Sequence, residues 1–112
     1  MTDPIVVLIT APSKEVGKQI ARALLEQELA ACVNIISSID SLYTWEGKIC
    51  DDEEVLLVVK SRAELFEDQL VPAVQAIHPY QVPEIIALPI KMGAKSYLDW
   101  IEAVTKRTSR SG

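Results

Sequence analysis

The sequence predicts an α+β fold, a ferredoxin-like βαββαβ sandwich with a long β-hairpin and an extra C-terminal helix. Three observations point to this class. Residues 5–9 form a β-branched apolar run, residues 31–60 alternate apolar and polar side chains about a central turn, and amphipathic helical stripes separate the predicted strands. Elements in the order β-α-β-β-α-β build an antiparallel sheet with helices on one face.

The length and charge of the chain restrict its class. Its 112 residues suit a single domain, expected over residues 1–107, with residues 108–112 as a flexible tail. The net charge of -5 argues against a nucleic-acid partner, which requires a basic stripe. No apolar stretch is long enough to span a bilayer, and the N-terminus lacks the basic start and long apolar region of a secretory signal. We therefore expect a cytoplasmic protein without a membrane span.

The first strand and helix follow from a short apolar run and a cap. The run Ile5–Ile9 suits a buried strand, and Thr10-Ala11-Pro12 ends it. Ser13 is a suitable N-cap for the helix that follows. The apolar stripe of this helix consists of Val16, Ile20, Ala23 and Leu24.

The long hairpin follows from a change of period to two. Its strands are expected over residues 31–45 and 48–60, joined by a tight turn at Glu46-Gly47. Strict alternation on the first strand predicts that one face carries Val33, Ile35, Ile39, Tyr43 and Trp45.

The second helix has a start signal, an interruption and a stop signal. Ser61 with Glu64 fits a capping box, so the helix is expected to begin there. Pro72 should bend or split it, and Pro79 should end it.

The last elements are a strand and a helix. Residues 84–90 predict a fourth strand, which Pro89 favours as an edge strand. Ser96 with Asp99 predicts the start of the C-terminal helix.

The hairpin also predicts the state of the two cysteines. A tight turn at Glu46-Gly47 places Cys50 opposite Tyr43 and Cys32 opposite Ser61. The two cysteines are then roughly 35 Å apart along the sheet, far beyond the reach of a disulfide. We expect two free thiols.

The predicted sheet has apolar residues on both faces. Helices on one face cannot cover residues 5–9, 55–59 and 85–88 on both sides. Either the C-terminal helix covers the second face or another subunit does, and the long hairpin favours an oligomer. Tyr43 and Trp45 near the hairpin tip are candidate subunit-interface anchors; ordinary core packing is the alternative.

The candidate functional segment contains the only histidine of the chain. His78 lies at a predicted helix end, where it is either a helix-capping residue or a metal ligand. Pro79 and Pro83 stiffen the loop that carries Tyr80 and Glu84, so these two residues are candidates for a ligand cleft. One imidazole and one carboxylate leave a metal shell incomplete, so water or a neighbouring subunit would have to complete it.

Catalytic motifs are not found in the sequence. There is no glycine-rich phosphate loop, no Gly-x-Ser-x-Gly and no His-Glu-x-x-His, so we do not expect an enzyme. A hydrolase with His78 as base and Glu84 as orienting group is a third-ranked hypothesis. The acidic run Asp51–Glu54 is expected to be a solvated part of the hairpin rather than a hard-cation site.

Seven short segments occur together in one order. They closely resemble the CutA divalent-cation tolerance proteins over residues 5–104. The segments are Thr10-Ala11-Pro12, Leu29-Ala30-Ala31-Cys32-Val33-Asn34, Ser41-Leu42-Tyr43-Thr44-Trp45-Glu46-Gly47-Lys48, Lys60, His78-Pro79-Tyr80, Pro83-Glu84 and Tyr97-Leu98-Asp99-Trp100-Ile101.

The resemblance implies a homotrimer, similar in assembly to the PII signalling proteins, with a role in tolerance of divalent metals and above all copper. The proposed copper ligands of the family are a cysteine before Thr-Ala-Pro and two histidines before Pro-Tyr. Ile9 and Ile77 occupy two of those positions here, and only His78 matches. The leading hypothesis is weak copper binding through His78. The alternative is a PII-like sensor or scaffold that binds a small molecule or a protein between subunits.

Overall fold

The computed structural model describes residues 3–106, which form a four-stranded antiparallel sheet in the order β2-β3-β1-β4. The predicted fold class is confirmed. The residues expected as a flexible tail, 108–112, lie outside the described part of the chain. The strands and helices are β1 (Pro4–Ala11), α1 (Lys14–Glu26), β2 (Cys32–Trp45), β3 (Lys48–Arg62), α2 (Ala63–Leu65), α3 (Val71–Ile77), β4 (Ile85–Pro89) and α4 (Lys95–Val104).

The hydrophobic core lies between one face of the sheet and the helices α1 to α3. Alternate residues of β1 and β3 point into it, and Val7 and Leu57 are fully buried there. The helices contribute Ile20 from α1 and Val74 from α3, both also fully buried. Aliphatic packing of this kind is what the low aromatic content predicts.

The predicted cap of α1 is confirmed. Ser13 has an extended backbone, and its Oγ accepts a hydrogen bond from the Val16 N–H at 3.2 Å. This bond satisfies one of the backbone donors that every helix leaves free at its first turn.

The predicted capping box of the second helix is wrong. β3 continues to Arg62, and α2 begins at Ala63 without a side-chain cap. Ser61 is fully buried, and its Oγ donates to the Leu29 carbonyl at 2.6 Å. A buried carbonyl without a hydrogen-bond donor lowers the stability of the fold. The Ser61 hydroxyl therefore donates to this distant carbonyl instead of capping the helix.

Glu64, the other half of the predicted box, pairs with a buried arginine. Arg62 is 4% exposed, and its guanidinium donates to Glu64 at 2.6 Å and to Thr105 Oγ1 at 2.7 Å. It also donates to the Lys106 carbonyl, while the Lys106 N–H donates to the Glu28 carbonyl at 2.7 Å. These bonds fix the C-terminal end of α4 against the rest of the domain.

Pro72 splits the second helix, as predicted. Phe66–Leu70 form a π-helical turn between α2 and α3, in which the Val71 N–H bonds to the Phe66 carbonyl. Proline has no N–H for the bond to residue i−4 and its ring crowds that carbonyl, so the preceding turn widens.

The last strand, β4, agrees with its prediction, whereas the last helix, α4, begins one residue earlier than predicted. β4 is an edge strand ending at Pro89, as expected. α4 begins at Lys95 rather than at Ser96, and its N-cap Ala94 makes no side-chain bond. Lys95 instead forms an ion pair with Asp99, one turn on, at 2.7 Å. No helix within residues 3–106 has the length and apolar character required to cross a membrane.

The hairpin β2–β3 has the predicted register only near its tip. Tyr43 pairs with Cys50 as predicted, but Cys32 pairs with Lys60 and not with the residue after it. Ser38 is an extra residue in β2 that has no partner on β3, so a β-bulge shifts the pairing by one position. Both cysteines are free thiols, as predicted.

The bulge also moves the hairpin tip to the other side of the sheet. Val33 and Ile35 pack on the core under the helices. Beyond the bulge, Ile39 pairs with Glu54, so Tyr43 and Trp45 share the face opposite the core. The prediction that these apolar residues of β2 share one face is therefore wrong, because a single inserted residue reverses the alternation.

The sheet face opposite α1 to α3 is only partly covered. α4 contacts β3 and β1, and its Tyr97 lies beside Cys32 on this face. Large apolar side chains nonetheless remain about half exposed there, namely Ile36 (47%), Ile86 (50%) and Leu88 (51%). Of the two alternatives for this face, the C-terminal helix alone does not cover it.

The cap of α1 gives a direct test of local helix energetics. Ser13→Ala should lower the free energy of unfolding by about 1 kcal/mol, because the Val16 N–H loses its acceptor. Ser13→Asp is the matched control, since a carboxylate keeps an acceptor beside the positive end of the helix. Chemical denaturation would measure both, and equal losses from the two variants would contradict a capping role.

Candidate functional site

His78 forms the C-terminal cap of α3 and links three parts of the fold. Its backbone turns extended, with φ -75° and ψ 135°, and its ring is buried, with 8% of the residue exposed. The ring Nε2 lies 2.8 Å from the Thr10 carbonyl at the end of β1. The Tyr80 N–H donates to Nδ1 at 3.1 Å. Nδ1 must then hold the lone pair, so Nε2 carries the proton and donates to Thr10.

Both ring nitrogens of His78 are therefore occupied by bonds within the chain. A metal ion binds imidazole through a ring lone pair, so it would have to replace the Tyr80 N–H at Nδ1 or the proton at Nε2. The ring does not bond to Glu84, so the catalytic pair of the hydrolase hypothesis is not formed within the described residues. The histidine acts first as a positioning residue for the loop.

Tyr80 continues this linkage to the hairpin. Its ring lies tilted against that of His78, with 4.8 Å between ring centroids. Its hydroxyl donates to Glu54 Oε2 at 2.5 Å. Burial and then the hydrogen bond to the Glu54 carboxylate raise the pKa of Tyr80 above its ordinary value, because both disfavour a phenolate there.

A second tyrosine–carboxylate pair lies near the tip of the hairpin. The Tyr43 hydroxyl donates to the Asp52 carboxylate on the neighbouring strand. This bond is the main cause that raises the pKa of Tyr43 to about 12. Asp52 and Glu54 are two residues apart on β3, so both tyrosine–carboxylate pairs lie on one face.

These residues line a groove of about 750 Å³ between the hairpin and the loop of residues 79–84. Its walls bring together the predicted cleft residues Tyr80 and Glu84 and the predicted interface residues Tyr43 and Trp45. Tyr43 and Trp45 are 43% and 44% exposed in the single chain. Their role at a subunit interface and the ligand role of Tyr80 and Glu84 stay predictions.

The role of Glu54 is not evident from the sequence. The acidic run was expected to be solvated, and Asp51, Asp52 and Glu53 are indeed exposed, but Glu54 is only 6% exposed. Alternation on β3 could have indicated that Asp52 and Glu54 share a face. It could not indicate that Tyr80, distant in sequence, would cover Glu54.

The donor side chains of the described residues do not form a metal shell by themselves. Among residues 3–106, no three histidine, cysteine, aspartate or glutamate side chains are close enough to hold one ion. The acidic residues that line the groove are Asp40, Asp52, Glu54 and Glu84. A tight metal site would require donors from outside this part of the chain.

Comparisons with known proteins indicate one family. Residues 5–104 match the sequence model of the family described as CutA1 divalent ion tolerance protein. The divalent-cation tolerance protein CutA of Thermus thermophilus is 52% identical over 100 residues, which cover 89% of this chain and 96% of that protein. The protein CutA of Mus musculus is 47% identical over 104 residues, but the match spans only 58% of its length.

Solved structures agree with this assignment. CutA1 from Oryza sativa superposes with a TM-score of 0.90 at 48% identity and covers 95% of this chain and 96% of its own. The Thermus thermophilus Cut A1 structure gives a TM-score of 0.89 at 50% identity and covers 92% of this chain and 99% of its own. At such identities the similarity extends beyond the fold to the family.

The tyrosine–carboxylate pairs give a spectroscopic prediction. Glu54→Gln removes the negative charge beside Tyr80, so the raised pKa of Tyr80 should fall towards the ordinary value of about 10. Because folding raises this pKa, the associated stability is present below about pH 10 and is lost as the pH rises through the folded value. Ultraviolet absorbance of the phenolates against pH would measure the shift.

The control for this titration is the exposed Asp51, which lies on the other face of β3. Asp51→Asn should leave the Tyr80 transition unchanged. A Glu54→Gln titration that overlays the wild type would contradict the Tyr80–Glu54 bond.

Proposed function

Since the chain belongs to the CutA1 divalent ion tolerance family, we propose that it acts in divalent-cation tolerance as a non-enzymatic homotrimer that binds copper weakly. The family match over residues 5–104 supports the cation-tolerance role, and the half-exposed apolar sheet face supports the assembly. We also propose the cytoplasm as its compartment. The copper and trimer assignments are those that the sequence resemblance implied, and the compartment is the one expected from the sequence analysis.

The open sheet face is the main support for the oligomer. Ile36, Ile86 and Leu88 form part of an apolar surface that α4 leaves about half exposed. A monomeric protein gains by removing such a surface from water, at roughly 25 cal/mol for each Å² buried. A second copy of this chain offers a matching apolar surface, and the long edge strand β2 offers unpaired backbone groups beside it.

The geometry of His78 supports weak rather than tight copper binding. Copper at Nδ1 would have to replace the Tyr80 N–H, which costs about 1 kcal/mol for the lost hydrogen bond. The same chain offers no second histidine to complete the shell, because His78 is the only one in the sequence. A site at His78 would therefore be completed by water or by groups of a neighbouring subunit.

The groove favours a second candidate function, that of a PII-like sensor or scaffold. Its volume of about 750 Å³ falls in the range of small-molecule sites. It combines aromatic surface from Tyr43, Trp45 and Tyr80 with fixed carboxylates. A ligand bound there would contact both the hairpin and the loop that His78 positions.

The assembly has a direct test by light scattering after size exclusion. The wild type should have three times the chain mass of 12.4 kDa. Leu88→Glu should give a lower mass, because it places a charge on the open sheet face. Leu25→Glu is the control, since Leu25 is similarly exposed (42%) but lies on α1 and outside that face. A wild type of monomer mass would refute the proposal.

Copper binding has a separate test by calorimetric titration. Cu(II) should bind the wild type weakly and His78→Gln not measurably, because glutamine can keep a contact with Thr10 but offers no imidazole lone pair. Equal heats from the two proteins would remove His78 from the metal role. Melting temperatures of both proteins would show that the variant is folded.

A further inference from the structure

We draw no further inference here: the strongest candidate, the side-chain cluster that Cys32 and Lys60 form with Asn34 on the sheet face opposite α1 to α3, contains a lone cysteine whose polar neighbours bond to one another, and it lies on the face through which we propose that the chain assembles.

Discussion

The β-bulge at Ser38 is the constraint on which the candidate site depends. Up to this residue, the alternation of β2 places its apolar side chains under the helices. Beyond it, the same alternation places Tyr43 and Trp45 on the opposite face, together with Asp52 and Glu54 of β3. One inserted residue therefore divides β2 into a part that packs on the core and a part that lines the groove, because side chains alternate with a period of two.

The loop that lines the groove is positioned by a histidine. His78 ends α3, donates to the end of β1 and accepts from the Tyr80 backbone. These bonds place the Tyr80 ring so that its hydroxyl reaches Glu54, which explains how a carboxylate in a solvent-rich acidic run becomes buried. The imidazole is suited to this task since one ring can donate and accept at the same time.

The groove and the open sheet face lie on the same side of the molecule, opposite α1 to α3. Assembly through that face would bring the groove close to another subunit. A family defined by cation tolerance and a groove rich in carboxylates are compatible in charge, although no three metal-binding side chains among residues 3–106 converge on one point. Whether a ligand can enter the groove therefore depends on how the chain assembles.

The sequence by itself determined the fold class, the order of elements, the helix cap at Ser13 and the free state of the cysteines. Each depends on local periodicity or on residues close in sequence. Only the tertiary structure decided that Ser61 serves the Leu29 carbonyl, that Glu54 is buried beneath Tyr80 and that the hairpin tip changes face. These features depend on partners distant in sequence or on one unpaired residue, and local patterns carry no signal for either.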